Sequence, residues 1–150
     1  MSNKSTLASR RVHRILPSRR GAAAIEFALI APVILVALTG IVNYGLAMFD
    51  KMQLQSAARS GAQLALLDAG DTTAIKQAVI DSTNLGITTS DVTTTQFCEC
   101  ANATIITCGN TCSDGSTNRY FMTVSATYNH TLLLLGTTVA LTGSATVRTQ

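Results

Sequence analysis

The chain has 150 residues, of which 47% are hydrophobic and 13% charged, and its formal net charge is +3. That charge is unevenly placed, because residues 1–20 hold six arginines and lysines and no acid, whereas the remainder holds five bases and eight acids. A basic tail that abuts a long apolar run follows the positive-inside rule of membrane anchors. The composition therefore favours a membrane protein over a nucleic-acid-binding one, and its length allows at most one globular domain.

The first segment, residues 1–21, is predicted to be a basic leader that stays in the cytoplasm. It lacks apolar periodicity and ends at Gly21, where the apolar run begins. An ordinary secretory signal has an apolar core of roughly 7–15 residues and is cut behind it. The run here is longer and leads directly into an amphipathic pattern, so we expect cleavage in front of the run rather than behind it.

Residues 22–49 are predicted to form a single transmembrane helix. The stretch Phe27–Phe49 supplies 23 residues without a formal charge, and roughly 20 are enough to span a bilayer. The basic leader predicts a cytoplasmic N-terminus, which places residues 50–150 across the membrane, in a compartment such as a bacterial periplasm. The predicted span also holds Gly40, Asn43 and Gly45, which either allow another helix to pack closely or reflect how common glycine is in membrane helices.

Glu26 is the one acid of the apolar run. A carboxylate costs about 2.5–3.5 kcal/mol at the bilayer centre and less towards the edge, where Glu26 is expected. Two interpretations are open. The side chain extends to the lipid headgroups, helped by Arg19 on the same helical face, or it makes a contact with another subunit.

The helix is predicted to continue through residues 50–67 with one apolar face. Its members recur at three-four spacing: Leu54, Ala57, Ala58, Gly61, Ala62, Ala65 and Leu66. A second, short helix is predicted to open at residues 71–73, where Asp and Thr are good capping residues. The apolar face of this helix is Ile75, Ala78 and Val79.

Beyond residue 90 the period of the pattern changes from three-four to two. Alternating stretches predict three strands at 92–97, 120–129 and 139–148, which form an antiparallel sheet with one face covered. The obvious cover is the helix of residues 50–67, so the fold class is an α+β head on a membrane helix. The four leucines of residues 132–135 are expected to pack under the sheet edge rather than to bind a partner.

All four cysteines, Cys98, Cys100, Cys108 and Cys112, lie in the predicted exported part. Zinc sites more often use paired C-x2-C knuckles, and an oxidising compartment favours disulfides, so we expect two disulfides and no metal. A bond between Cys98 and Cys100 would be strained. A symmetric hairpin would give the nested pairs Cys98–Cys112 and Cys100–Cys108, but the pairs Cys98–Cys108 and Cys100–Cys112 stay open.

We expect no enzymatic activity and no cofactor. The two histidines and the scattered acids form no triad, no metal cluster and no pair of carboxylates, and no glycine-rich phosphate loop is present.

Three stretches of the chain resemble the TadE-like pseudopilins of the Tad (tight adherence) pilus system. The first is RRGAAAIEFALIAPVIL at residues 19–35, the second is GIVNYG at 40–45, and the third is LQSAARSGA at 54–62. The resemblance is specific over residues 19 to about 65. It implies a pilin-like, membrane-anchored α+β fold.

The resemblance also implies a site and a function. A membrane-embedded prepilin peptidase would cut between Gly21 and Ala22, and Glu26 with Phe27 would serve assembly by meeting the new α-amino group of a neighbouring subunit. The implied protein is a minor pseudopilin of Tad-type pilus biogenesis, which supports surface adhesion and biofilm formation. Its partners would be the inner membrane, other pilins and pseudopilins, and the pilus assembly machinery. The alternative is an unprocessed single-span periplasmic binding module, which has no use for Glu26.

Overall fold

The computed structural model describes residues 19–133 and 136–149, and the side chains of 21–133 and 136–149. Most of the predicted leader, residues 1–18, therefore lies outside the described residues. The described elements are α1 (Arg19–Leu67), α2 (Thr72–Asp81), β1 (Val92–Glu99), β2 (Ile105–Ile106), β3 (Arg119–Thr131) and β4 (Thr138–Arg148). The predicted α+β class is confirmed, as are its two helices.

The described residues up to Leu38, which are the first stretch of α1, form a unit of their own. Nearly every side chain between Gly21 and Leu38 is exposed, and most are large and apolar. The mean hydropathy of the most apolar window in α1 reaches 2.4, so the helix is long and apolar enough to cross a membrane. This helix fits the predicted single-pass anchor.

The second compact unit is Thr39–Gln150. The contacts of residues 39–49, the last part of the predicted span, therefore group them with the head. The sheet of the head has the strand order β2-β1-β3-β4, and every neighbouring pair is antiparallel. In the register, Val124 of β3 lies between Thr94 of β1 and Ala145 of β4.

The core lies between one face of this sheet and the two helices. Alternate residues of β3 are buried because successive side chains of a strand point to opposite faces. The helices contribute small or branched side chains. Among the described residues, the buried cluster is Leu54, Ala57, Ala62, Ala65, Ile75, Val79, Ile87, Val92, Met122, Val124 and Ala126. The predicted cover by residues 50–67 is confirmed, with α2 as a second contributor.

The predicted apolar face of residues 50–67 was wrong at Leu66, which is 52% exposed. The buried stripe runs through Leu54, Ala58, Ala62 and Ala65, and Leu66 lies one residue further round the helix. The start of α2 agrees with its prediction, since the Asp71 side chain accepts a hydrogen bond of 2.9 Å from the backbone N–H of Ala74.

Two glycines allow the elements of the core to approach closely. A Cβ on Gly143 of β4 would lie 2.5 Å from the backbone carbonyl carbon of Leu54 in α1. A Cβ on Gly61 of α1 would collide with the side chain of Val79 in α2 and would lie 3.2 Å from that of Val124. The absence of a side chain at these two positions sets how near α1 lies to β4 and to α2.

The cysteines form the disulfides Cys98–Cys108 and Cys100–Cys112, so the nested pairing was wrong and the alternative pairing is the one observed. The prediction of nested disulfides assumed a hairpin centred near residue 105. The hairpin of β1 and β2 instead turns at residues 100–104, which places Cys98 opposite Ile106. The chain after β2 then turns back, and it brings Cys108 to Cys98. Strand β2 was not predicted, because two residues carry no alternation.

Candidate functional site

The predicted processing site lies in the first turn of α1. Gly21 and Ala22 are both helical and exposed, and a Cβ on Gly21 would meet nothing within 4 Å. The first four N–H groups of a helix have no intrahelical partner, and helix ends fray, so a peptide bond in the first turn opens more easily than one in the middle of the helix. The geometry leaves room for a protease at the predicted bond.

Glu26 and Phe27, the predicted assembly residues, are exposed on α1, and Phe27 is 69% exposed. Among the side chains that the structure describes, Glu26 has no hydrogen-bond or ion-pair partner. Ala22 precedes it by four residues, so both lie on the same face of the helix. The carboxylate is therefore available to a cation from outside the described part of the chain.

The three predicted helix-packing residues divide into two groups. A Cβ on Gly40 or on Gly45 would meet nothing within 4 Å, so both present open helix surface. Asn43 is only 6% exposed, and its Oδ1 accepts a hydrogen bond of 2.8 Å from the backbone N–H of Leu133. Its Nδ2 donates to the carbonyl of Thr39 at 3.0 Å. Asn43 thus connects α1 to the segment that joins β3 to β4.

A second polar contact joins α1 to the same end of the sheet. Nδ1 of His130 on β3 lies 2.7 Å from Oδ2 of Asp50 on α1, with the carboxylate as acceptor. His130 is 7% exposed, and its buried Nε2 has no partner among the described residues. Sequence reasoning missed this pair because the two residues are 80 positions apart.

The side chain of Gln55 binds the outer strand of the sheet. Its Nε2 donates to the carbonyl of Ser144 at 2.5 Å, and its Oε1 accepts from the Ser144 N–H at 3.3 Å. Because β4 is an edge strand, its outward backbone groups would otherwise be open to pairing with another chain. No role was predicted for Gln55, since its partner Ser144 lies 89 positions away in the sequence.

The disulfide region is a polar, cross-linked loop rather than a metal centre. A carboxylate oxygen of Asp114 lies near the sulfurs of Cys100 and Cys112, but these two cysteines are bonded to each other and offer no thiolate. The Ser116 hydroxyl and N–H donate to Asp114, and these bonds hold the pKa of that carboxyl below its usual value.

One comparison with known proteins finds a match. The model of a family described as TadE-like protein matches residues 21–63. This stretch of the chain is therefore similar to the TadE-like family. No curated protein and no solved structure matches the chain.

The TadE-like match covers every predicted processing, assembly and helix-packing residue and none of the four cysteines. It confirms the resemblance on which those predictions depend. The TadE-like family is a structural, pilus-related family.

Proposed function

We propose that the chain is a minor pseudopilin of a Tad-type pilus, cut by a prepilin peptidase between Gly21 and Ala22, with its head in the periplasm. The observation that carries the proposal is the exposed Glu26, which has no partner among the described side chains and lies five residues after Gly21 on an apolar helix that matches the TadE-like family. An anchor gains nothing from this carboxylate, which makes the insertion of the helix less favourable.

Cleavage would provide the missing cation. It would create an α-amino group on Ala22, and this group would be as costly to leave unpaired in lipid as the carboxylate of Glu26. Ala22 lies one turn before Glu26, about 6 Å along the axis at 1.5 Å per residue. A neighbouring subunit shifted along the axis by about one turn would therefore bring its Ala22 level with Glu26, and each charge would find a partner.

The test of processing is the mass and the N-terminal sequence of the full chain, purified from membranes of cells with or without a prepilin peptidase. We expect a mature N-terminus at Ala22 only when the peptidase is present. Gly21→Arg should retain the leader, because a long side chain obstructs the cleaved bond. Ser5→Arg is the matched control, since it adds the same charge to the leader away from that bond and should be cut normally.

The test of assembly is co-purification of the chain with sheared pili. Glu26→Gln and Glu26→Leu should both be inserted and cut, yet both should lose most of their association with the pilus, because neither carries a negative charge. Ala28→Leu changes an exposed neighbour without a change of charge and should behave as the wild type.

Retention of the leader in cells that have the peptidase, together with normal behaviour of Glu26→Leu, would refute the proposal. That result would instead favour the unprocessed single-span binding module.

A further inference from the structure

We propose that the described part of the segment between β3 and β4 enters the lipid bilayer beside α1, so that the head has a membrane contact of its own. The described part of this segment is Leu132 and Leu133 with residues 136–137, and we name Leu132, Leu133 and Val139 the loop face. The inference concerns the lipid contact of the head and does not depend on cleavage or on pilus assembly.

Two hydrogen bonds fix the depth of the loop face along α1. His130 binds Asp50, and the N–H of Leu133 binds Asn43. Seven residues of α-helix from Asp50 back to Asn43 cover about 10 Å. Three residues of extended chain from His130 to Leu133 also cover about 10 Å. The two segments therefore run side by side over this distance.

The direction of that run is towards lipid. Asp50 is the first charged residue after the uncharged stretch Phe27–Phe49, so the boundary of the bilayer core is expected close to it. Asn43 lies within the uncharged stretch. Leu133, which is bound to Asn43, is therefore about 10 Å on the lipid side of Asp50, roughly a third of the 30 Å thickness of a typical hydrocarbon core.

The chemistry of the surface fits this depth. Leu133 is 68% exposed and Val139 is 44% exposed, although the leucine run was expected to pack under the sheet edge. Leu134 and Leu135 of that run lie outside the described residues. Exposed leucine is unfavourable in water and favourable among acyl chains.

An apolar groove of about 440 Å³ continues the loop face towards α1. Tyr44, Met48 and Lys51 of the helix contribute to it on one side, and Leu132, Val139 and Leu141 on the other. Lys51 is its one charged residue and can extend its ammonium group to the phosphates of the headgroups while its stem stays in the groove. Acyl chains of the surrounding lipid are the occupant that this arrangement favours.

Three backbone N–H groups in the described part of the segment are bonded within the protein. A non-helical chain enters lipid only when its polar groups are bonded within the protein. The N–H of Leu132 donates to the carbonyl of Thr137 at 2.8 Å, and the N–H of Gly136 donates to the carbonyl of Leu132 at 2.9 Å. With the bond from Leu133 to Asn43, these three donors are satisfied.

The experiment uses tryptophan fluorescence, because the chain contains no tryptophan and each introduced one reports a single site. Leu133→Trp is reconstituted as the full chain in phospholipid vesicles, with and without lipids brominated on the acyl chain. We expect a blue-shifted emission and quenching by the brominated lipids several-fold stronger than at a site in water. Val139→Trp is a second reporter in case Leu133→Trp perturbs the loop, and it should be quenched as well.

Two control variants give the emission expected in water and the emission expected in lipid. Ile105→Trp lies in β2, where the native side chain has the same 68% exposure as Leu133, and it should emit as in water without quenching. Val36→Trp lies in the uncharged stretch and should be quenched fully. Emission of both Leu133→Trp and Val139→Trp like that of Ile105→Trp, in vesicles where Val36→Trp is quenched, would overturn the inference.

A neighbouring protein chain is the competing occupant of the loop face. In that case Leu133→Trp would be blue-shifted yet unquenched, and its emission would shift to the red as the protein is diluted with lipid. This outcome would also overturn the inference. Quenching that is unchanged by dilution supports it, and it does so in the Glu26→Gln background as well, which separates it from the proposed function.

Discussion

Two stretches of α1 differ in the size and the exposure of their side chains. Residues 21–38 carry large apolar side chains and are exposed almost throughout, whereas residues 54–65 bury Leu54 together with small alanines and Gly61. A helix that faces lipid needs bulk and apolarity but no particular neighbour. A helix that covers a sheet needs small residues at the positions where another backbone approaches. The amino-acid size along one helix therefore reports which surroundings each stretch has.

The largest effect should come from Leu54, which is fully buried between α1 and the sheet. Leu54→Ala leaves a cavity in a small core and should lower the free energy of unfolding of the head by about 2–5 kcal/mol. Leu38→Ala is the matched control, because Leu38 is 53% exposed on the same helix. Denaturant unfolding in detergent micelles, followed by circular dichroism, measures both. An equal loss for the two variants would contradict the distinction between the stretches.

A smaller effect is expected from the close approach of β4 to α1. Gly143→Ala pushes a methyl group into the backbone at Leu54 and Gln55, which cannot move aside as a flexible side chain can. Overpacking of this kind costs about 1–3 kcal/mol. Gly45→Ala adds the same methyl group to open helix surface and should not destabilise the head. The comparison of thermal midpoints checks this, and a normal midpoint for Gly143→Ala would show that α1 and β4 can separate.

The smallest effect tests the residues between the two stretches. Asn43→Ala removes the acceptor for the N–H of Leu133, so we expect a loss of about 1 kcal/mol and faster hydrogen exchange at that amide. Asn43→Asp keeps the acceptor oxygen and should protect the Leu133 amide. Unchanged exchange in Asn43→Ala would mean that the hydrogen bond does not hold the loop face against the helix.

Much of this molecule follows from short-range pattern. The apolar run predicted the anchor, the three-four spacing from Leu54 to Ala65 predicted the cover of the sheet, and period-two stretches predicted β1, β3 and β4. The motif around Gly21 and Glu26 predicted the TadE-like family, which the match over residues 21–63 confirmed. These features can be predicted from the sequence because each depends on the pattern of residues within a single helix, strand or motif.

Other features depend on which distant residues meet. The pairing of the cysteines followed from where the β1–β2 hairpin turns and from how the chain turns back after β2. The two polar contacts join distant residues: His130 and Asp50 are 80 positions apart, and Asn43 and Leu133 are 90 positions apart. The sequence around one residue of such a pair does not indicate its partner.

The sequence by itself therefore determined the long apolar helix, the kinds of elements, the presence of two disulfides and the similarity of residues 21–63 to the TadE-like family. Only the tertiary structure decided the disulfide partners, the close contacts at Gly61 and Gly143, and the depth at which the loop face lies along α1. The physical reason is that periodicity records the surroundings of one element, whereas register and approach distance are properties of two elements packed together.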